Sequence, residues 1–310
     1  MSSELIHLKE NEILSKIREY PWFIKLFDPN NLSILGKGAF GVVVSTRLLS
    51  NPLENIALKI VIPESQALLK EYIKEITLMT LLDNHANICD IEDSIIDSFE
   101  KTIVIRMSQA ECSLKNMIDK EKSLEKEYIL QLFADMVNGL NYAHSKGIYH
   151  LDIKPANILI FRTKKRENLP KGQNSHVYYE NLVFKLSDWG GGVLNTKGGK
   201  TTVISNSFAS TPGYMAPEIS NNEDKLNLAS CDIYSLGMTL LICCGQKYEN
   251  IKHISSISKE KAKKHDSEIK EAIDEIKDNY PSALIDLIQK MFIFFKNCVI
   301  FNFLTHFYFL

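Results

Sequence analysis

The chain has 310 residues, enough for one large domain or two ordinary ones, and needs neither disulfides nor metals to complete a core. With 45% hydrophobic residues, 24% charged residues and a net charge of −2, it excludes a collagenous, wholly disordered or polytopic membrane protein. Nothing in that charge total points to a nucleic-acid partner, and six cysteines without regular spacing fit a reduced, intracellular and cytoplasmic setting rather than a disulfide framework.

Residues 1–22 carry Glu4, Lys9, Glu10, Glu12, Lys16 and Arg18 among apolar positions, which denies a signal-peptide core and predicts an amphipathic helical extension. From Asn31 to Leu53, apolar residues flank the cluster Gly36-Lys37-Gly38-Ala39-Phe40-Gly41, the pattern of strand, tight turn and strand. A third strand is expected at Ile56–Ile62, then a helix from about Ser65 to Leu82. One stripe of that helix is Leu68, Tyr72, Glu75, Met79 and Leu82, so Glu75 faces inward and demands a cation from elsewhere in the chain.

Ile91–Ile96 and Thr102–Met107 read as two further strands, and Glu127–Ser145 as a helix with Ile129, Leu132, Phe133, Met136, Val137 and Leu140 on one face. The first hundred residues are thus mostly strand, and those after about 110 mostly helix, which favours two lobes. The polar, basic stretch 162–180 lacks periodicity and reads as an exposed loop inserted between two short strands. Ala229–Cys244 is apolar but too short to span a bilayer, and reads as a buried helix. Residues 291–310 hold 15 apolar side chains out of 20, including 7 of the chain's 15 phenylalanines.

A bare G-x-G-x-x-G fits both a dinucleotide site and a phosphate-covering hairpin. Here a valine-rich strand follows it rather than a helix, and Ala57-Leu58-Lys59-Ile60 places an ammonium on the next strand. Further on come His150-Leu151-Asp152-Ile153-Lys154-Pro155-Ala156-Asn157, then Ser187-Asp188-Trp189-Gly190, then Thr211-Pro212-Gly213-Tyr214-Met215-Ala216-Pro217-Glu218. In this order the motifs resemble the signature set of the eukaryotic protein kinases of serine/threonine type, with HLD for HRD and DWG for DFG.

The resemblance implies an α+β, bilobal protein-kinase-like fold over residues 28–291, with a mainly-β N-lobe at about 28–108 and a larger, mainly-α C-lobe at about 109–291. It implies that Gly36, Gly38 and Gly41 cover the phosphates of ATP, that Val43 and Ala57 line the adenine pocket, and that Lys59, held by Glu75, binds the α- and β-phosphates. By the same likeness Asp152 is the catalytic base, Lys154 steadies the γ-phosphate, and Asn157 and Asp188 hold Mg²⁺. Lys154 and Thr211 match the serine/threonine pattern, so the implied partner is a protein hydroxyl; Ile105 is the expected gatekeeper, with the hinge at Ile105–Ser108. Asp232 resembles the aspartate that fastens the catalytic-loop backbone.

Four departures from the family pattern stand out. Leu151 occupies the usual arginine position, so activity is expected not to depend on an arginine–phosphate contact with Thr201, Thr202, Ser205 or Ser207. Trp189 replaces phenylalanine and is expected to pack under the Glu75 helix, and the activation segment is glycine-rich. No arginine occurs after Arg166, so Glu218 is expected to lack its usual partner, and the C-terminal end of the C-lobe to be incomplete. The tail 292–310 has three competing readings: a membrane anchor, an unusual core helix, or, as preferred, a reading frame that leaves the kinase pattern after Met291. The expected activity is Mg²⁺-dependent transfer of the ATP γ-phosphoryl group to protein serine or threonine. The alternatives are a nucleotide-binding pseudokinase or scaffold and, third, a small-molecule phosphotransferase. The pattern leaves the oligomeric state open.

Overall fold

Residues 10–37, 41–98, 101–121, 123–166, 178–195, 211–220, 226–246 and 262–293 are described by the computed structural model. The chain divides into two units, Met1–His85 with Cys89–Ala110, and Ala86–Ile88 with Glu111–Leu310. A β-sheet N-lobe and a helical C-lobe are present, as the expected bilobal fold requires. Gly38, one of the expected phosphate-covering residues, lies outside the described residues, as do Thr201, Thr202, Ser205 and Ser207 and residues 294–310.

The first unit is built on an antiparallel sheet of order β1-β2-β3-β5-β4, from β1 (Ser33–Lys37), β2 (Gly41–Leu48), β3 (Asn51–Val61), β4 (Asp93–Asp97) and β5 (Thr102–Ser108). Side chains alternate between faces, so the sheet sorts its apolar residues into two sets. Val61, Ile103 and Ile105 pack on Tyr72 of helix α3 (Gln66–Leu81), whose N-cap Ser65 accepts a hydrogen bond from the Leu68 amide. Val42, Val44, Ile56, Leu58, Ile60 and Val104 belong to the other set.

That second face is covered by the N-terminal segment. Helices α1 (Glu10–Glu19) and α2 (Pro21–Leu26) bring Ile13, Ile17, Tyr20, Trp22 and Phe23, together with the following Phe27, onto it. Ile13, Ile17 and Phe23 are fully buried, and Phe23 stacks on Phe27 with ring centres 5.5 Å apart. The amphipathic stretch is thus a working half of the N-lobe core. Strand β3 begins at Asn51, five residues before its expected start: pairing with β2 extends it, while residues 51–55 are exposed and carry no apolar period to mark it. Pro52 is tolerated there since β5 pairs with β3 only from Ile56 onward. Strand β5 runs through Ser108, and the two units divide between Ala110 and Glu111.

The second unit is organised around α5 (Lys126–Ser145) and the buried α7 (Leu228–Cys243), with β6 (Cys112–Ser113) and α4 (Leu114–Glu121) preceding them. Short strands β7 (Ile148–Tyr149) and β10 (Val193–Leu194) pair, and β6, β8 (Ile158–Arg166) and β9 (Tyr178–Leu186) form a second sheet. Of the expected loop at 162–180, residues 162–166 and 178–180 are strand, and residues 167–177 lie outside the described residues. Arg162 pairs with Leu182 and the ladder continues to Arg166 opposite Tyr178, because backbone hydrogen bonds sustain a hairpin even where no apolar period marks it. Helices α6 (Pro217–Ser220), α8 (Ala262–Ile276) and α9 (Ser282–Ile293) complete the unit. Phe292, assigned above to the tail, meets Tyr234 of α7 edge-on at 5.4 Å and belongs to this packing. Among the described residues no helix is long and apolar enough to cross a membrane.

The N-terminal cover predicts a sharp contrast between neighbours. Phe23→Ala is expected to cost about 3–5 kcal/mol in chemical denaturation of the full chain. Ile24→Ala, at a position 54% exposed, is expected to stay within about 0.5 kcal/mol.

Candidate active site

In the first unit, strand register gathers the sequence-predicted residues on one face. Val43 lies opposite Lys59, and Lys59 lies opposite Ile105, so all three project to the same side of the sheet. Ala57, two residues before Lys59 in β3, shares that side. Glu75 reaches it from α3: its Oε1 is 2.6 Å from Lys59 Nζ, with the carboxylate side chain 3% exposed and the lysine 21%. The inward carboxylate thus finds the cation its position required. A buried carboxylate survives only where charge and hydrogen bonds compensate its desolvation.

Gly36 and Gly41 both edge the hairpin, but only one is forced by packing. A Cβ on Gly41 would lie 2.3 Å from the Ile60 carbonyl oxygen, whereas one on Gly36 would meet nothing within 4 Å. Gly41 therefore lets β2 press against β3, and Gly36 leaves open space over the hairpin.

In the second unit, the loop after β7 folds around Asp152. Its Oδ2 accepts from Lys154 Nζ at 2.7 Å and Asn157 Nδ2 at 3.0 Å. Its Oδ1 accepts from the Thr211 amide at 2.8 Å and the Thr211 hydroxyl at 2.7 Å. Lys154 Nζ also donates to Thr211 Oγ1 at 2.6 Å. A carboxylate offers about four acceptor directions, so these donors fill Asp152 completely. Thr211, flagged only as a pattern match, is a direct partner of the predicted base.

Asn157 and Asp188 are tied together through the residue before Asp188. The Asn157 carbonyl accepts from the Ser187 amide at 2.9 Å and the Ser187 hydroxyl at 3.0 Å. The Asn157 side-chain nitrogen donates to the carbonyl and carboxylate of Asp152, which leaves its Oδ1 as an oxygen donor. Asp188 is exposed and left-handed, with φ 63° and ψ 69°. His150 is fully buried: its Nδ1 accepts from the Asp152 amide at 3.3 Å, which assigns the proton to Nε2, 3.0 Å from the Ser187 carbonyl. Trp189 is fully buried and packs on the His150 ring at 4.6 Å.

Asp232, at 0% exposure on α7, holds the loop from below. Its Oδ2 accepts from the His150 amide at 3.0 Å and its Oδ1 from the Leu151 amide at 2.7 Å, while His144 Nε2 lies 2.8 Å from Oδ2. Leu151 has φ 62°, a backbone state that costs a side-chain-bearing residue roughly 1–2 kcal/mol. Glu218 is 9% exposed and engaged by a neighbouring group, while its Oε2 is buried without a hydrogen bond.

A family model described as protein kinase domain matches residues 30–297. The chain is 28% identical over 207 residues to the serine/threonine-protein kinase PkaB of Streptomyces coelicolor, covering 67% of this chain and 46% of that protein. It is 28% identical over 218 residues to the serine/threonine-protein kinase STK11 of Gallus gallus, covering 67% and 44%. With serine/threonine-protein kinase 10 of Danio rerio it shares 27% over 245 residues, covering 77% and 23%. The chain therefore spans about half the length, or less, of these curated relatives.

The Asp232 clamp gives a stability prediction. Asp232→Asn places an amide group against three donors and is expected to lower stability by about 1.5–3 kcal/mol in urea unfolding.

Proposed function

From the premise that this chain belongs to the protein kinase family, we propose that it transfers the γ-phosphoryl group of ATP to serine or threonine hydroxyls of protein substrates, with Mg²⁺. The observation that carries the reading is the joint retention of the Lys59–Glu75 pair and the Asp152–Lys154–Asn157–Thr211 network, each with hydrogen-bonding geometry. A scaffold kept for its surface has no physical need of both.

In this reading Gly36, Gly38 and Gly41 cover the phosphates, Val43 and Ala57 contact the adenine, and Lys59, fixed by Glu75, neutralises the α- and β-phosphates. Asn157 Oδ1 and the exposed Asp188 carboxylate are two hard oxygen donors suited to Mg²⁺. Mg²⁺ is typically held by one or two carboxylates together with substrate phosphate oxygens. Bound there, the ion would offset charge on the phosphates. The remaining work falls to the chain.

Asp152 has no spare acceptor direction, so an incoming hydroxyl takes the one held by the Thr211 hydroxyl, while the Thr211 amide keeps the carboxylate in place. The substrate oxygen attacks the γ-phosphorus, its proton passes to Asp152, and the bond to the β-phosphate bridging oxygen breaks to release ADP. Lys154, between Asp152 and Thr211, places its ammonium next to the reacting oxygen and steadies the transferred group. The serine/threonine preference rests on the Lys154–Thr211 pairing and on the printed names of the relatives.

Phosphate transfer from labelled ATP to a generic protein substrate tests the role of Asp152. Asp152→Asn is expected to lose roughly 10²- to 10⁴-fold in rate while still binding ATP. Equal rates would refute the assigned base, and a wild type that binds ATP without transfer would favour the pseudokinase or scaffold. A second prediction follows from Leu151, an apolar residue 2% exposed where an arginine would gather a phosphorylated segment. Phosphatase-treated protein is expected to keep most of its activity in the same assay; a wild type silent until phosphorylated would contradict it.

A further inference from the structure

Strand β9 delivers Asp188, and it is the edge strand of the sheet β6-β8-β9. One side of it pairs with β8. An edge offers a row of unpaired donors and acceptors that must be satisfied or covered. Here two side chains far away in sequence serve that edge. Asp135 of α5 is 7% exposed, and its Oδ2 accepts from the Phe184 amide at 2.9 Å. Asn87 is 5% exposed; its Nδ2 donates to the Phe184 carbonyl at 3.2 Å and its own carbonyl accepts from the Leu186 amide at 2.9 Å.

The two are joined. The Asn87 side chain also hydrogen-bonds the Asp135 carboxylate, and Gln131 Nε2 donates to Asp135 Oδ1 at 2.9 Å. Gly139, one turn further along α5, admits the Asn87 backbone: a Cβ there would lie 2.9 Å from the Asn87 carbonyl oxygen. Residues Ala86–Ile88 consequently belong to the second unit although the chain on both sides belongs to the first. Burial raises the pKa of Asp135 above the ordinary carboxylate value, opposed by hydrogen bonds from Phe184, Gln131 and Asn87. A buried carboxylate at this cost, outside the Asp152 loop, calls for a purpose beyond filling space.

We propose that Asp135 and Asn87 form a latch on the edge of β9 that positions Asp188 for its ion, and thereby sets the Mg²⁺ requirement of the enzyme. The inference rests on the reading of Asp188 given above. Its mechanical path is short. Phe184 and Leu186 are fixed by the latch, Ser187 by Asn157 and His150, and Asp188 follows in a left-handed state that only firm flanking contacts sustain. Asp135→Asn keeps the shape but leaves one acceptor oxygen for three donors, so the Phe184 amide or a partner is turned away. Neither latch residue touches substrate; both are positioning residues.

The test is ATP binding to the full-length protein by calorimetry, with Mg²⁺ titrated and with chelator, for wild type, Asp135→Asn, Asn87→Ala and Asp188→Asn. Expected is unchanged affinity in chelator, within about twofold, for both latch variants, with the Mg²⁺ concentration for half-maximal enhancement raised roughly 3- to 10-fold. Asp188→Asn is expected to abolish the enhancement. The Asn87→Ala variant, which leaves the backbone bond to Leu186 in place, carries the test if Asp135→Asn does not fold. Latch variants with lowered melting temperature and a wild-type Mg²⁺ requirement would overturn the latch alone. A wild type without Mg²⁺ enhancement would overturn the reading of Asp188 and the latch with it.

Discussion

A single carboxylate with no solvent contact organises the second unit of this protein. Asp232 is carried by α7, a helix buried on nearly every side, and so cannot move without disturbing the core around it. From that fixed point it binds two successive backbone amides, at His150 and Leu151. Those bonds compensate the strained φ of Leu151 and aim the next residue, Asp152. His150, held by the same bond, donates to the Ser187 carbonyl and so relays the position to the residue before Asp188. One anchor in the core therefore locates both the proposed base and one proposed metal ligand.

The first unit meets the same need differently. Lys59 is placed by sheet register and locked by a helix carboxylate, and the sheet is stiffened by helices on both faces. The N-terminal segment lies ahead of the region matched by the family model, which starts at residue 30, yet Ile13, Ile17 and Phe23 are as buried as any strand residue. Covering the second face removes an exposed apolar surface formed by Val42, Val44, Leu58 and Ile60. It also backs the strands that flank the glycine hairpin, so the proposed phosphate-covering element rests on a packed support.

Legibility in the sequence followed the range of the physical cause. Glu75 announced its need for a cation because helical spacing set it on a buried stripe, and Lys59 answers it at 2.6 Å. The amphipathic N-terminal stretch was readable as a helix, whereas the surface it covers was not, since periodicity names a face and never its partner. Residues 51–55 and the ends of the β8–β9 hairpin carry no apolar period, so their pairing escaped notice. Thr211 and Asp135 were hidden for another reason: their contacts close across 59 and 49 residues, and a lone polar residue has no pattern to betray such a partner. The buried aspartate amid Leu132, Met136 and Gly139 was the one signal available for the latch.

Asp232 also accounts for a leucine at position 151. In the family pattern an arginine stands at that position. The turn is made by Asp232 through main-chain amides, which any residue supplies. A leucine there, 2% exposed, adds apolar burial to the loop. In the proposed reading the position of Asp152 is therefore set by a buried carboxylate on α7 and needs no cation at position 151.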